Sequence, residues 1–315
     1  MFQIWQLNMS FSFDFSSDDD DKNNEPQFKM PKLMSDYQKE SAKLSNKVKL
    51  QPFQELSYKE VAEKWTVQEN SQEDEIYFID QFDLTGSVPS IKYVQKQCLK
   101  DFDHKVEKYD VIKGVNEGGA KIWECSIDLM EYMQETGALK DKLVMELGCG
   151  IGMPGLLAYK MGAKSVHFQD YNTEVLVDHT VPSTILLMPE TSDLDNLTGD
   201  RFNKVSHANC LDKVFKFFSG DWSFFIESLK TKYDVILTSE TIYEEENYKS
   251  LHDILKHLLA DDGFVLLAAK SYYFGVGGNV QSWIDYVEER KCFKIAEVKS
   301  IGDNLPRKIL KMTLA

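Results

Sequence analysis

From about Tyr109 onward the chain alternates between two hydrophobic periods. Short apolar or β-branched runs, the pattern of strands covered on both faces, stand at Leu143 to Leu147, Ser165 to Asp170, Val205 to Cys210, Tyr233 to Ser239, Gly263 to Lys270, Phe293 to Ser300 and Arg307 to Leu314. Between them apolar residues recur at helical spacing near 123 to 136, 153 to 162, 172 to 187 (interrupted by Pro182), 222 to 230, 247 to 260 and 280 to 291. Such alternation predicts parallel strands joined by helical crossovers. The last connection, Ile301 to Pro306, is too short for a crossover and contains Gly-Asp-Asn, so the final two strands are expected to pair antiparallel. The predicted fold is α/β: a doubly wound, Rossmann-like sheet of seven strands with an antiparallel last strand.

Before about residue 100 the pattern fails. The run SSDDDD at Ser16 to Asp21, an Asn/Glu/Pro stretch and a lysine-dotted segment from Lys29 to Lys49 hold few patterned apolar residues. They predict a mostly disordered N-terminal region, 1–100, ahead of one folded domain, 101–315, with the chemistry confined to the latter. Phe11, Phe13 and Phe15 alternate with small or acidic residues and suggest a docking segment. The acidic stretch Met188 to Lys204 lacks an apolar period and reads as an exposed insertion before the third strand.

Composition narrows the class. Of the 315 residues 43% are hydrophobic, enough for a substantial core. The longest purely apolar run, Phe264 to Ala269, is far short of the roughly 20 residues that cross a bilayer, and no basic-then-apolar start suggests a signal; no membrane association is expected. The five cysteines form no C-x-x-C pair, which argues against a disulfide framework or a zinc site and for a reducing, intracellular setting. A formal charge of -15 disfavours direct nucleic-acid binding and suits a basic protein partner, although solubility alone accounts for it more simply.

The candidate chemistry begins at Val144-Met-Glu-Leu-Gly-Cys-Gly-Ile-Gly152, where a strand stops at a carboxylate and turns through Gly148, Gly150 and Gly152. A glycine turn ahead of a helix lets a ligand approach the backbone closely. Glu146 would repel a pyrophosphate there and would suit a ligand with a cationic amine. About twenty residues later Phe168-Gln169-Asp170-Tyr171-Asn172 places Asp170 where an acid accepts both hydroxyls of a ribose. An amino acid joined to an adenosine is S-adenosylmethionine. Phe217-Phe218-Ser219-Gly220-Asp221-Trp222 offers an acid beside an aromatic for the adenine amino group, and Asp221 is equally suited to cap the helix starting at Trp222.

These motifs resemble the seven-strand S-adenosylmethionine-dependent methyltransferases. The longer stretches GVNEGGAKIWECS (114 to 126), FQDYN (168 to 172), FFSGDW (217 to 222), LTSETIY (237 to 243) and KSYYFGVGGN (270 to 279) are similar to the histidine protein methyltransferases related to methyltransferase-like protein 18. The likeness covers roughly residues 105 to 315, and the start at Met9 (MSFSFDF) also resembles that family. It implies methyl transfer to the τ nitrogen of a histidine in a large-subunit ribosomal protein, in cytoplasm and nucleus, by a chain taken here as a monomer. It implies that Ile122, Trp123, Glu124, Cys125 and Ser126 lie over the cofactor, and that Gly148, Asp170, Gly220, Asp221, Trp222 and Ser239 contact it. Cys149, Gln169, Tyr171 and Asn172 fall within the same motifs and complete the candidate pocket, with no metal expected. Where that family's stretch is expected to carry a tyrosine, Asn116 stands here.

Two residues are nominated for the reaction. Glu240 and Tyr243 leave the fourth strand at its carboxyl end, where open α/β sheets bind ligands, and i, i+3 spacing lets a carboxylate and a phenol reach one centre. A neutral imidazole, with a reference pKa near 6.5, already exposes a nucleophilic lone pair; Glu240 would hold its other nitrogen, with Tyr243 assisting. A helix-capping role is the plainer alternative for Glu240. Trp123 reads either as a core residue or as a face toward the sulfonium, and Ser271 to Gly278 as a covering loop or a hydrophobic plug. The related lysine methyltransferases carry Asp-x-x-Tyr after this strand, so a lysine acceptor is the enzymatic alternative. A non-catalytic protein that binds cofactor or assists ribosomal-protein assembly is the other.

Overall fold

The computed structural model describes residues 50–63, 75–84, 90–98, 118–137, 139–188, 199–208, 210–273, 277–302 and 306–315. The docking segment at Phe11 to Phe15, the lysine-dotted stretch and Asn116 lie outside them.

Ten strands are described: β1 (Gln54–Leu56), β2 (Glu75–Phe82), β3 (Ile91–Cys98), β4 (Leu143–Leu147), β5 (Ser165–Asp170), β6 (Phe215–Ser219), β7 (Tyr233–Ser239), β8 (Leu259–Lys270), β9 (Phe293–Ile301) and β10 (Arg307–Leu314). The helices are α1 (Glu124–Thr136), α2 (Met153–Lys160), α3, α4 (Gly199–Ala208), α5 (Phe225–Ser228), α6 (Tyr248–Leu258) and α7 (Val280–Arg290). α3 is composite, running through Thr173–Val175, a π turn at Leu176–Thr180 and Val181–Ile185. The wide turn absorbs Pro182, whose ring nitrogen has no hydrogen to donate.

The main sheet has the order β1-β6-β5-β4-β7-β8-β10-β9. β6, β5, β4, β7 and β8 are parallel, and β10 runs antiparallel between β8 and β9, as the short last connection requires. The central strands show the period of two in their burial. Val144, Val166, Val235, Leu237 and Leu266 pack into a layer with α1, α2 and α3. Met145, Leu147, Ile236, Val265 and Leu267 face a second layer built by α6 and α7, to which α6 turns Leu251, Ile254, Leu255 and Leu258. Register sets Leu147 opposite Gln169 and Thr238, Asp170 opposite Ser219, and Ser239 opposite Ala268, so the carboxyl ends of five strands form one rim.

Two expectations need correction. Val205 to Cys210 is not a strand, because Phe202, Val205 and Ser206 are buried at helical spacing in α4. The third strand of the core is instead β6, where Phe215, Phe217 and Phe218 are buried and Lys216 is exposed. The second correction concerns residues 50–98, which the sequence assigns to a disordered region. β1 adds an eighth, antiparallel strand beside β6, and Phe53 packs on Phe218 and Phe225. β2 and β3 form a hairpin whose β3 docks on α3: the Val94 N–H donates to Ser183 Oγ (2.9 Å), its carbonyl pairs with His179 Nδ1 (3.0 Å), and Lys96 pairs with Asp178 (3.0 Å). Tyr58 bonds Thr184 Oγ1 at 2.6 Å in the core. The apolar runs of β2 (Ile76 to Ile79) and β3 (Ile91, Tyr93 and Val94) stand apart between charged segments, and β3 becomes core only against α3, which comes later in the chain.

Candidate active site

The glycine turn sits at the centre of the rim. Gly148, Gly150 and Gly152 all have φ in the left-handed region (61°, 54° and 87°). Space forbids a side chain as well: a β-carbon on Gly150 would lie 2.6 Å from the Gly119 carbonyl oxygen, and one on Gly148 2.7 Å from the Thr241 methyl. The residues just before α1 are therefore laid directly over the turn. Thr180 of α3 fastens it from the other side by donating to the Gly150 carbonyl at 2.6 Å.

Glu146 lies beneath the turn, 2% exposed, and its Oε2 accepts the Gly155 N–H at 2.8 Å. The carboxylate that the sequence suggests for a ligand amine is thus committed first to the opening of α2. Burial pushes its pKa well up, against the pull of that N–H. Asp170 accepts the Gly150 N–H (2.8 Å) and the Asn172 N–H (3.0 Å), tying the ends of β4 and β5 together. Burial raises its pKa and these backbone donors oppose the rise.

Gln169 is fully buried and acts as a hub. Its Oε1 accepts from Trp222 Nε1 (2.7 Å) and the Gly148 N–H (3.2 Å), and its Nε2 donates to the Gly220 carbonyl (3.0 Å). Asp221 caps the turn at Trp222–Phe224, accepting the Ser223 N–H at 2.9 Å and its hydroxyl at 2.6 Å, both on Oδ1. Over this turn runs the segment before β1. Gly220 has φ 117°, a β-carbon on it would meet the Pro52 carbonyl oxygen at 2.3 Å, and the Asp221 N–H donates to the Gln51 carbonyl at 2.9 Å.

On the other side of the glycine turn, the start of α1 meets the ends of β7 and β8. Trp123 precedes α1 with its Nε1 on the Gly118 carbonyl (3.0 Å), and Ser126 shares a 2.8 Å hydrogen bond with Ser239. Cys125 points into the core, its thiol pushed up by burial and then by Glu240. Ile122 is half-buried beside it and packs on the core of the α1 layer. The cations on the Trp123 ring are lysines, Lys121 at 4.7 Å and Lys270 at 5.1 Å.

Glu240 follows β7 with φ 57°, a left-handed conformation that costs a residue with a β-carbon roughly 1–2 kcal/mol. Its N–H donates to the Ala268 carbonyl at 2.9 Å, so the strained residue is pinned to the rim. Its side chain is 9% exposed; Oε2 accepts the Tyr273 hydroxyl at 2.5 Å, while Oε1 has an ion pair with Lys270 at 3.5 Å and no hydrogen bond. Lys270 also reaches Glu124 at 3.1 Å. Burial alone would depress Lys270, but the two carboxylates outweigh it and hold the ammonium above its ordinary pKa. Tyr243 stands edge-on to Tyr273, ring centres 6.4 Å apart, and its carbonyl accepts the Gly278 N–H at 2.9 Å, which seats the loop after β8 on the segment after β7.

A family model described as lysine methyltransferase matches residues 111–275, more than half of the chain. The chain belongs to that family. Its fold and family are those of S-adenosylmethionine-dependent methyltransferases. Among curated relatives, the histidine protein methyltransferase 1 homolog of Bos taurus is 42% identical over 214 residues, covering 65% of this chain and 57% of that protein. The histidine protein methyltransferase 1 homolog of Dictyostelium discoideum is 36% identical over 218 residues, covering 68% and 63%. The chain thus spans less than two thirds of the length of these relatives. A magnesium protoporphyrin IX methyltransferase from Synechocystis with bound SAH aligns over 60% of this chain and 81% of its own, at 16% identity and a TM-score of 0.42, too remote to add to the assignment.

The candidate cofactor residues that the sequence outlines lie at three adjacent strand ends: the glycine turn after β4, Asp170 at the end of β5 and Asp221 after β6. These residues fit a sulfonium nucleoside. A carboxylate offers about four acceptor directions, so the backbone bonds to Asp170 do not exhaust it, and Asp221 uses only Oδ1 on Ser223. Gln169 and Cys149 serve instead as internal ties, and Tyr171 and Asn172 continue the Asp170 corner into α3. Sequence reasoning missed Gln51, Pro52, Thr180 and Thr241, which approach the turns through tertiary packing. It also gave no role to Lys270, a lone cation ending the apolar run of β8.

Proposed function

We propose that the chain transfers a methyl group from S-adenosylmethionine to the τ nitrogen of a histidine in a basic, large-subunit ribosomal protein, acting as a monomer in cytoplasm and nucleus. The observation that carries this reading is Glu240 Oε1: a buried carboxylate oxygen at the strand-end rim, on a strained residue, paired by charge with Lys270 at 3.5 Å and without a hydrogen bond. The similarity to relatives named as histidine protein methyltransferases supports the choice of imidazole.

When bound, the cofactor supplies an electrophilic methyl group. The chain's own residues then have three tasks. Asp170, Asp221 and the glycine turn fix the ligand's position along the rim. Trp123 and Ser126, on a helix start pinned to Ser239, cover it and exclude water. Glu240 takes the N–H of the substrate ring on Oε1, which exposes the lone pair of the other nitrogen and stabilises the positive charge that the ring gains as the nitrogen–carbon bond forms. Aiming that lone pair in line at about 3 to 3.5 Å is the main demand, because neutral imidazole needs no prior deprotonation. Tyr243 walls the same space beside Tyr273.

Tandem mass spectrometry of large-subunit ribosomal proteins incubated with enzyme and cofactor tests the reading, together with a His→Ala substrate. The expected product is a single τ-methylhistidine. Label retained on the mutant substrate, or found on lysine, would overturn it in favour of the lysine methyltransferase alternative.

A further inference from the structure

We infer that Lys270 is a specificity-determining residue: its ammonium, held between Glu240 and Glu124, already supplies the cation at the acceptor carboxylate and so turns away a lysine substrate while admitting a neutral imidazole. The inference rests on the histidine reading above and goes beyond it to a residue that touches neither the glycine turn nor the two strand-end acids.

The geometry is that of a filled charge site. Lys270 Nζ lies 3.1 Å from Glu124 Oε2 and 3.5 Å from Glu240 Oε1, and 5.1 Å from the centre of the Trp123 ring. The side chain is 19% exposed, so solvent screens it weakly. A second cation, Lys121, lies 4.7 Å from the same ring. A substrate ammonium aimed at Glu240 would therefore meet a carboxylate whose charge is already paired, beside an aromatic face that already carries cations. A neutral imidazole carries no charge for Lys270 to repel, and Oε1 holds an ion pair but no hydrogen bond that the ring N–H would have to displace. The position is also held from behind. The Lys270 backbone N–H donates to the Tyr273 hydroxyl at 3.2 Å, and that hydroxyl donates to Glu240 Oε2 at 2.5 Å. Lysine, carboxylate and phenol thus form one closed unit in which Oε1 is buried and is the Glu240 oxygen without a hydrogen bond.

The test uses the full chain, cofactor with a radiolabelled methyl group and a mixture of large-subunit ribosomal proteins, with methylated amino acids separated after acid hydrolysis. Wild type and Lys270→Arg are expected to give methylhistidine and no methyllysine. Lys270→Met is expected to give less methylhistidine and to yield methyllysine, which the wild type does not form. Calorimetric binding of S-adenosylmethionine, read in parallel, shows whether each variant keeps its fold and pocket. If Lys270→Met does not fold, Lys270→Gln carries the same arm. An unchanged product ratio, or no methyllysine, from an uncharged variant that still binds cofactor overturns the role of Lys270 while leaving the histidine reading intact. Methyllysine from the wild type overturns both.

Discussion

Asp170 shows how one side chain can serve both stability and binding. Asp170→Ala strands the Gly150 and Asn172 N–H groups and removes the ribose acceptor, so it should lower unfolding free energy by about 1–3 kcal/mol and weaken cofactor binding by a similar amount. Urea titration and calorimetry read the two effects separately; unchanged affinity in a folded variant refutes the assignment. Glu240→Gln should instead leave cofactor affinity within about twofold and slow transfer by at least tenfold, or about 1.4 kcal/mol, since an amide stabilises a cationic ring poorly. His167 governs a separate pH effect. It pairs with the Tyr233 hydroxyl at 2.7 Å, and burial, then Lys216, pushes its pKa down to about 4 from 6.5. The unfolded chain therefore binds the proton first, so stability is full above about pH 6.5 and falls as pH drops toward 4, by roughly 2 kcal/mol at pH 5. Urea midpoints across that range should show this loss, and His167→Gln should flatten it. At this scale Glu146, Asp170 and the glycines were legible because their residue types are tied to strand ends. The partners of those residues were not, since Glu146 on Gly155 and Glu240 on Lys270 are fixed by the packing of later elements.

Among the elements, β1 and the residues before it change the boundary of the active unit. They cover the Gly220 turn, which borders the proposed adenine site, and bury Phe53 on Phe218. A chain beginning at Gln97 loses β1, the docked hairpin and the Tyr58 anchor, and is expected to melt several degrees lower and to lose cofactor affinity, as thermal unfolding and calorimetry would record. Retained affinity would return the boundary to residue 101. Gly220→Ala probes the same contact more gently: a β-carbon 2.3 Å from a carbonyl oxygen at φ 117° should cost about 1–3 kcal/mol. The elements from β4 to β10 were largely readable from period and spacing, down to the antiparallel end. β6 was hidden because Phe217 and Phe218 also belong to the stretch that reads as a ligand-facing turn, and α4 because Val205, Ala208 and Cys210 imitate a strand.

Across the whole molecule the charge of -15 sets the strength of attraction for the proposed basic substrate, and ionic strength sets its range. The KM for ribosomal protein should rise several-fold as salt is raised from low to physiological levels or beyond, while kcat stays nearly constant, because screening acts on encounter and leaves the buried Glu240 cluster untouched. Steady-state kinetics at several ionic strengths decide this, and a KM independent of salt would remove the acidic surface from recognition.

The sequence by itself determined the alternation of strand and helix, the reversed final strand, the glycine turn and the acids at strand ends, because each is a local property of spacing and residue type. Only the tertiary structure decided that β1 adds an edge strand to the sheet, that Gln51 and Pro52 cover the Gly220 turn, that Glu146 serves α2, and that Lys270 and Tyr273 hold Glu240. Those outcomes depend on contacts between residues far apart in the chain, Pro52 with Gly220 and Glu124 with Lys270, whose energies exist only once the elements between them have packed.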